Sequence, residues 1–263
     1  MGKRTRNNYN NCLATLPMNE YCIRKATVDD IPFLTEVVIA ASKSNSDKLS
    51  LSALFNLPEN RIREIIGSMF SEEIDGCEFS ISSFLITEHR GKPVAAVGGW
   101  VEGLVQKTSS SILKSNLITY CFPKESIAFV LSISAIISDI LIERDNLSLQ
   151  IEYVYVDKDH RGKRLAEGLI RQHIKNAQLA YPGLEKAQVQ LFSNNSPAIR
   201  SYEKIGFHVG KVYKSSNPKI LDYFSHDEAL LMEIDIALES PQQCRIMRAK
   251  GSNHGKNRNS GKN

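Results

Sequence analysis

Several marks of common protein classes are missing from this sequence. Its five cysteines, Cys12, Cys22, Cys77, Cys121 and Cys244, include no C-x-x-C pair and make an odd number. That pattern excludes a zinc knuckle and leads us to expect reduced thiols in a cytoplasmic protein. No run reaches the roughly 20 apolar residues of a membrane span. The most apolar stretch, 127–142, is interrupted by Ser132, Ser134, Ser138 and Asp139 and reads as a buried helix. No apolar segment follows the first basic residues, as a secretory leader requires, and Arg6 stands where a Met-Gly acylation signal carries Ser or Thr. Neither G-x-x-x-x-G-K-S/T nor G-x-G-x-x-G occurs, which removes the P-loop and the dinucleotide fingerprint. We find no metal-ligand spacing and no internal repeat.

Acid is also missing from both ends. Residues 1–19 carry Lys3, Arg4 and Arg6, and residues 241–263 carry Arg245, Arg248, Lys250, Lys256, Arg258 and Lys262, with no Asp or Glu in either stretch. Nine positive charges at the ends, against a total of +4, leave 20–240 at −5. A dedicated nucleic-acid binder patterns positive charge on its folded face, so this distribution argues against one and suits a cationic ligand. The ends are polar and aperiodic, and are expected to be disordered. With 42% hydrophobic and 24% charged residues in a chain of 263, the remainder reads as one globular domain over 20–240.

Within 20–240 the elements alternate. Tyr21–Lys25 reads as a short strand. Thr27 caps a helix whose apolar residues are Ile31, Leu34, Val37, Val38 and Ala41. A polar connection near Ser42–Ser52 precedes a second helix starting at Pro58. Ser83–Thr87 and Val94–Val101 make a hairpin with its turn marked by Gly91 and Pro93. Residues 103–148 form an insertion with at least one helix. Leu149–Val156 is a β-branched, aromatic strand. A polar loop leads from it into the amphipathic helix of Leu165, Leu169, Ile170, Ile174 and Ala177. Ala187–Phe192, a short helix Ser196–Ile205, and strands Phe207–Lys214 and Ala229–Ile236 follow. Strand, helix and strand from Leu149 to Phe192 form a βαβ unit, which requires a parallel pair in an otherwise antiparallel sheet. The predicted fold is α/β, with about seven strands and helices on both faces.

Two stretches carry chemistry. At the first strand–helix junction lie Asp157-Lys158-Asp159-His160-Arg161-Gly162-Lys163-Arg164-Leu165-Ala166. A helix N-terminus offers unpaired N–H groups and partial positive charge, and Lys158, Arg161, Lys163 and Arg164 surround it. A phosphate site and a solvated basic turn are both consistent with that composition. The second stretch is Asn194-Asn195-Ser196-Pro197-Ala198-Ile199-Arg200-Ser201-Tyr202-Glu203-Lys204-Ile205-Gly206-Phe207. Ser196 or Asn195 caps a helix that Gly206 closes in left-handed geometry. Alone, it reads as a capped helix with a packed aromatic.

Together, in this order and one helix and one strand apart, the two stretches resemble the GNAT superfamily of CoA-dependent N-acetyltransferases. The first is similar to its Q/R-x-x-G-x-G/A acyl-CoA motif and the second to its N-x-x-A-x-x-x-Y-E-K-x-G-F segment. The likeness runs from about Glu20 to Ile236. It implies that backbone amides of Arg161, Gly162, Lys163, Arg164, Leu165 and Ala166 cradle the CoA pyrophosphate. It implies that Val154, Tyr155 and Val156 run beside the pantetheine arm, in a gap between splayed parallel strands. It implies further that Asn195 contacts CoA and that Tyr202 is the general acid. Arg164 replaces the motif glycine, so a Cβ and a guanidinium enter the cradle.

The implied reaction is direct acetyl transfer from acetyl-CoA to a primary amine, with no covalent intermediate and no metal. Such an attack needs an oxyanion donor, a proton for the leaving thiolate and a base for the amine. Glu152 is our candidate base, since alternation puts it on the face of Val154 and Val156; a polar residue on a half-exposed face reads almost as well. Histidines 160, 208 and 226 have no partner at a telling spacing and read as surface or packing residues. Asp227 and Glu228 stand where the family often lines its acceptor site. The acceptor, small molecule or peptide, is not named by the sequence. The insertion either lines its pocket or forms a homodimer interface. Two rivals remain: an inactive acyl-CoA-binding sensor of the same fold, and a nucleic-acid-associated protein acting through its basic tails.

Overall fold

The computed structural model describes residues 14–15, 20–44, 46–104 and 107–236. The tails expected at 1–19 and 241–263 lie outside the described residues, Ala14–Thr15 excepted. So does the last part of the expected domain, 237–240.

The chain enters a sheet through β1 (Ala14–Thr15) and β2 (Tyr21–Lys25), which pair antiparallel. Thr27 then initiates a helical turn rather than a full helix: the buried Asp30 carboxylate accepts from the Thr27 N–H and hydroxyl and is held by Arg24 at 2.7 Å. Arg24 also reaches Glu88, fixing the start of α1 (Ile31–Ser42) against the sheet. The polar connection contains a helix the composition hid, α2 (Ser50–Phe55), and α3 (Glu59–Ser71) follows Pro58 as expected. β3 (Phe84–His89) and β4 (Lys92–Val101) form the anticipated hairpin. Its turn is Arg90–Gly91, both at positive φ (51° and 76°), so Pro93 sits inside β4.

The insertion holds α4 (Ser110–Cys121), α5 (Lys124–Ser132) and α6 (Ser134–Ile137). The stretch 127–142 is thus a series of short helical pieces, not one buried helix, and Leu131 is largely exposed. Next come β5 (Leu149–Val156), α7 (Leu165–Ala180), β6 (Lys186–Phe192), α8 (Ser196–Ile205), β7 (His208–Lys214), α9 (Ile220–Tyr223) and β8 (Glu228–Asp235). The sheet has eight strands in the order β1-β2-β3-β4-β5-β6-β8-β7. Among the described residues only β5 and β6 are parallel. The two-residue β1 accounts for the strand beyond the seven expected.

One core lies between the sheet and α7 and α8, with Ile151, Leu169, Val189 and Met232 at its centre. The opposite face buries Leu34, Ile62, Phe70 and Phe84 under α1 and α3, and takes Leu117 and Phe122 from the insertion. Cys22 on β2 is disulfide-bonded, correcting the expectation of reduced thiols throughout, whereas Cys77 and Cys121 are free. Linear spacing does not report the Cα proximity that a disulfide needs. No described helix is long and apolar enough to cross a membrane.

Candidate active site

The site begins with an irregularity in β5. Ala96 faces Tyr155 and Gly98 faces Glu152, so Tyr153 and Val154 stand opposite Val97 alone. This is a β-bulge, and Tyr153 takes left-handed φ of 50°. The extra residue inverts the alternation. Ile151 lies in the core under α7, Tyr153 and Tyr155 pack on the α1–α3 face, and Val154 and Val156 return to the α7 side. Glu152 therefore does not share a face with Val154 and Val156, contrary to the sequence expectation. Simple alternation holds only in an unbroken strand.

The bulge is braced from α7. His173, fully within the core, donates Nε2–H to the Val97 carbonyl at 2.9 Å. Its ring lies against β4 because position 99 is glycine: a Cβ there would stand 2.6 Å from Nδ1. Burial pushes the imidazole pKa down to about 4, with the bond to Val97 acting in the opposite direction. His173 is thus neutral near pH 7. Sequence periodicity read the helix correctly but gave no signal of this contact.

Beyond the bulge β5 and β6 part. Their pairing covers Leu149↔Ala187, Gln150↔Gln188 and Ile151↔Val189, and then stops. Residues 152–156 have no strand partner on that edge, while β6 remains paired to β8 throughout. A wedge opens between the parallel strands, lined by the backbone of Val154, Tyr155 and Val156.

At the end of the wedge β5 turns into α7. The first backbone bond into the helix joins Gly168 N–H to the Arg164 carbonyl at 3.0 Å. The amides of Leu165, Ala166 and Glu167 are left without intrahelical acceptors. Arg164 has φ of 58° and Gly162 φ of 77°. Position 164, where the resembled motif carries glycine, thus holds an arginine in the left-handed region that favours glycine. The basic side chains are engaged nearby. Arg161 Nε donates to the Val156 carbonyl, Lys163 Nζ to the Tyr21 hydroxyl at 2.7 Å, and Arg164 to Glu167. Tyr21 in turn meets His160 Nδ1 at 2.9 Å. The anion-binding capacity here lies chiefly in the backbone amides and the helix dipole.

On the far side, α8 is capped by Asn195, whose Oδ1 accepts from Ala198 N–H, and closed by Gly206 at φ of 117°. The Asn195 side chain is used within the helix end. Tyr202 is 6% exposed, edge-on to Phe207, and its hydroxyl makes no hydrogen bond among the described residues. Burial, with a smaller contribution from the Glu152 charge, raises its pKa well above that of free tyrosine. It stays protonated across physiological pH. Tyr202 and Glu152 thus act on one another electrostatically.

Glu152 is not a lone carboxylate. It pairs with Arg144, a residue of the insertion that sequence reasoning did not single out. Arg144 stacks 5.2 Å from the Trp100 ring centroid and also reaches Glu78 at 3.5 Å. Burial opposes ionisation of Glu78, but Lys114 and Arg144 outweigh it and hold the carboxyl below its usual range. Glu102 accepts from Ser110 N–H, the Ser110 hydroxyl and Trp100 Nε1. Among the described residues no cluster of three or more His, Cys, Asp or Glu side chains could hold a metal ion.

A wedge of unpaired strand edge running into an anion-binding helix end fits a ligand with an extended amide arm and a phosphate head. A family model described as an acetyltransferase (GNAT) domain matches residues 125–209. The fold resembles an N-acetyltransferase from Staphylococcus aureus Mu50, with a TM-score of 0.55 at 14% identity, over 81% of this chain and 99% of that one. A second structure described as an acetyltransferase gives 0.54 at 15% identity, over 81% and 98%. No curated protein matches the chain in sequence.

Proposed function

We propose that this chain is a GNAT-type N-acetyltransferase moving the acetyl group of acetyl-CoA to a primary amine in a ternary complex, a reading supported by the family model over 125–209 and by the fold. The observation that carries this reading is the β5–β6 wedge, whose pairing ends at Ile151↔Val189 and whose open edge leads to the free amides of α7. Acetyl-CoA supplies an activated thioester: the acceptor nitrogen bonds to the acetyl carbon, the C–S bond breaks, one proton leaves the nitrogen and one reaches the sulfur.

The chain's own groups divide that work. The amides of 161–166 hold the phosphates, and the edge of Val154–Val156 pairs with the amide arm and offers an N–H for the developing oxyanion. Tyr202, protonated and buried, is the proton donor to sulfur. Glu152 is the candidate base, and its pairing with Arg144 means that the acceptor's approach must loosen that ion pair before Glu152 takes a proton. This coupling also favours the alternative of an acyl-CoA-binding sensor without turnover.

Calorimetric titration with acetyl-CoA tests the cofactor assignment. Saturable binding is expected, weakened at least tenfold by Ala166→Glu, which sets a carboxylate at the cradle. Absence of binding in the unaltered protein sinks the assignment. Tyr202→Phe separates enzyme from sensor: it should lower kcat about a hundredfold with acetyl-CoA affinity unchanged. A protein that binds acetyl-CoA and acetylates no amine is the sensor.

A further inference from the structure

Resting on the acetyltransferase reading, we propose that the acceptor is a small primary amine bearing an oxygen acceptor beside its nitrogen, held in the cavity between the N-terminus of α4 and the segment leading into β5. Amino acids and their amides, and amino sugars, share that chemistry. The cavity has a volume of about 330 Å³, within the range that holds one small molecule. Its walls are Glu102, the serines at 109–111, and Ile142 to Arg144.

Charge points to the ammonium half of the ligand. The connected cluster contains three carboxylates, Glu78, Glu102 and Glu152, against two cations, Lys114 and Arg144, and a fourth carboxylate, the exposed Glu143, stands on the cavity wall. Glu78 and Glu102 are 1% and 3% exposed. Uncompensated negative charge in such surroundings is costly, and an incoming ammonium offsets it. Glu143 makes no hydrogen bond or ion pair among the described residues, so its carboxylate is available to that ammonium.

Arg144 points to the oxygen half. Its side chain is 10% exposed and lines the cavity. One terminal nitrogen serves Glu152 and Glu78 and the other reaches Ser110, but Nε is buried with no acceptor. A buried guanidinium N–H without a partner is costly, and a ligand oxygen satisfies it. This buried donor and the excess of carboxylate together select a ligand that is cationic at one atom and oxygen-bearing at the next. A plain alkylamine leaves Arg144 unsatisfied. Through Glu152 the cavity is one side chain away from the edge of β5.

Steady-state kinetics on the full chain at saturating acetyl-CoA provide the test, with matched amines: alaninamide against sec-butylamine, and glucosamine against cyclohexylamine. Counted per unprotonated amine, the oxygen-bearing member of one pair should show a kcat/KM at least about tenfold higher, and the responding pair identifies the source. Glu143→Gln should raise KM for that amine by about fivefold or more, with the acetyl-CoA Kd unchanged. Ser111→Leu, at an exposed position on the cavity wall, should do the same by filling space. Equal turnover of the oxygen-free amines, or a KM indifferent to both substitutions, overturns the assignment of the cavity while leaving the acetyltransferase reading intact. Acetyl-CoA binding with no amine turned over overturns that reading, and this proposal with it.

Discussion

His173 ties α7 to the strand that faces the β5 bulge, and its protonation would leave that bond in place but set a charge in the core. Its ordinary pKa of 6.5 falls to about 4 in the folded protein. Between those values the unfolded chain binds more protons, so the stabilisation is fully present above pH 6.5 and is lost as pH falls towards 4. Its size by pH 4 is roughly 3 kcal/mol. Urea unfolding at several pH values should show this loss in the wild type and a smaller one in His173→Gln. Arg164 is the second informative residue. Left-handed backbone costs a non-glycine residue about 1 kcal/mol, and its exposed pairing with Glu167 returns little. Arg164→Gly should therefore leave stability within about 1 kcal/mol and bind acetyl-CoA at least as tightly, since a Cβ leaves the cradle. Calorimetry checks the affinity; weaker binding would make the guanidinium a ligand contact.

Among the elements, α8 shows what local signals can and cannot determine. Its cap, its proline and its closing glycine were all legible, because each acts through backbone conformation within a few residues. Gly206→Ala forces a left-handed alanine, with a Cβ 3.0 Å from Ile234 Cδ1. It should cost about 1–2 kcal/mol, seen as a lower Tm without loss of helix content. β5 is the opposite case. Its strand character was plain from β-branched and aromatic residues, yet the bulge at Tyr153 and Val154 left no mark on the pattern. One extra residue there turned Val154 and Val156 to the face opposite Glu152, which is left beside Arg144.

For the molecule as a whole, the question is whether 103–148 is an appendage or part of the body. Phe122 stacks on Phe55 with centroids 3.9 Å apart and lies in the same core as α1 and α3. The insertion is therefore built into the second core. Phe122→Ala should cost about 3 kcal/mol or more, and denaturant unfolding should remain a single transition. A separate early transition would make the insertion an independent unit. The same segment carries Arg144 and Glu143, so loosening it should also impair turnover.

The sequence by itself determined most strands and the longer helices flanking them, though not β1, α2, α9 or the broken helices of 127–142, together with the one parallel pair among the described strands and the two motifs flanking the wedge. These follow from period, caps and order along the chain, which are local properties. Tertiary structure alone decided the face of Glu152, its partner Arg144 eight residues earlier, the brace from His173 and the disulfide at Cys22. Each depends on a bulge or on contacts between separately formed elements. Such contacts are selected by packing and burial once the sheet is assembled, and no spacing in the chain encodes them.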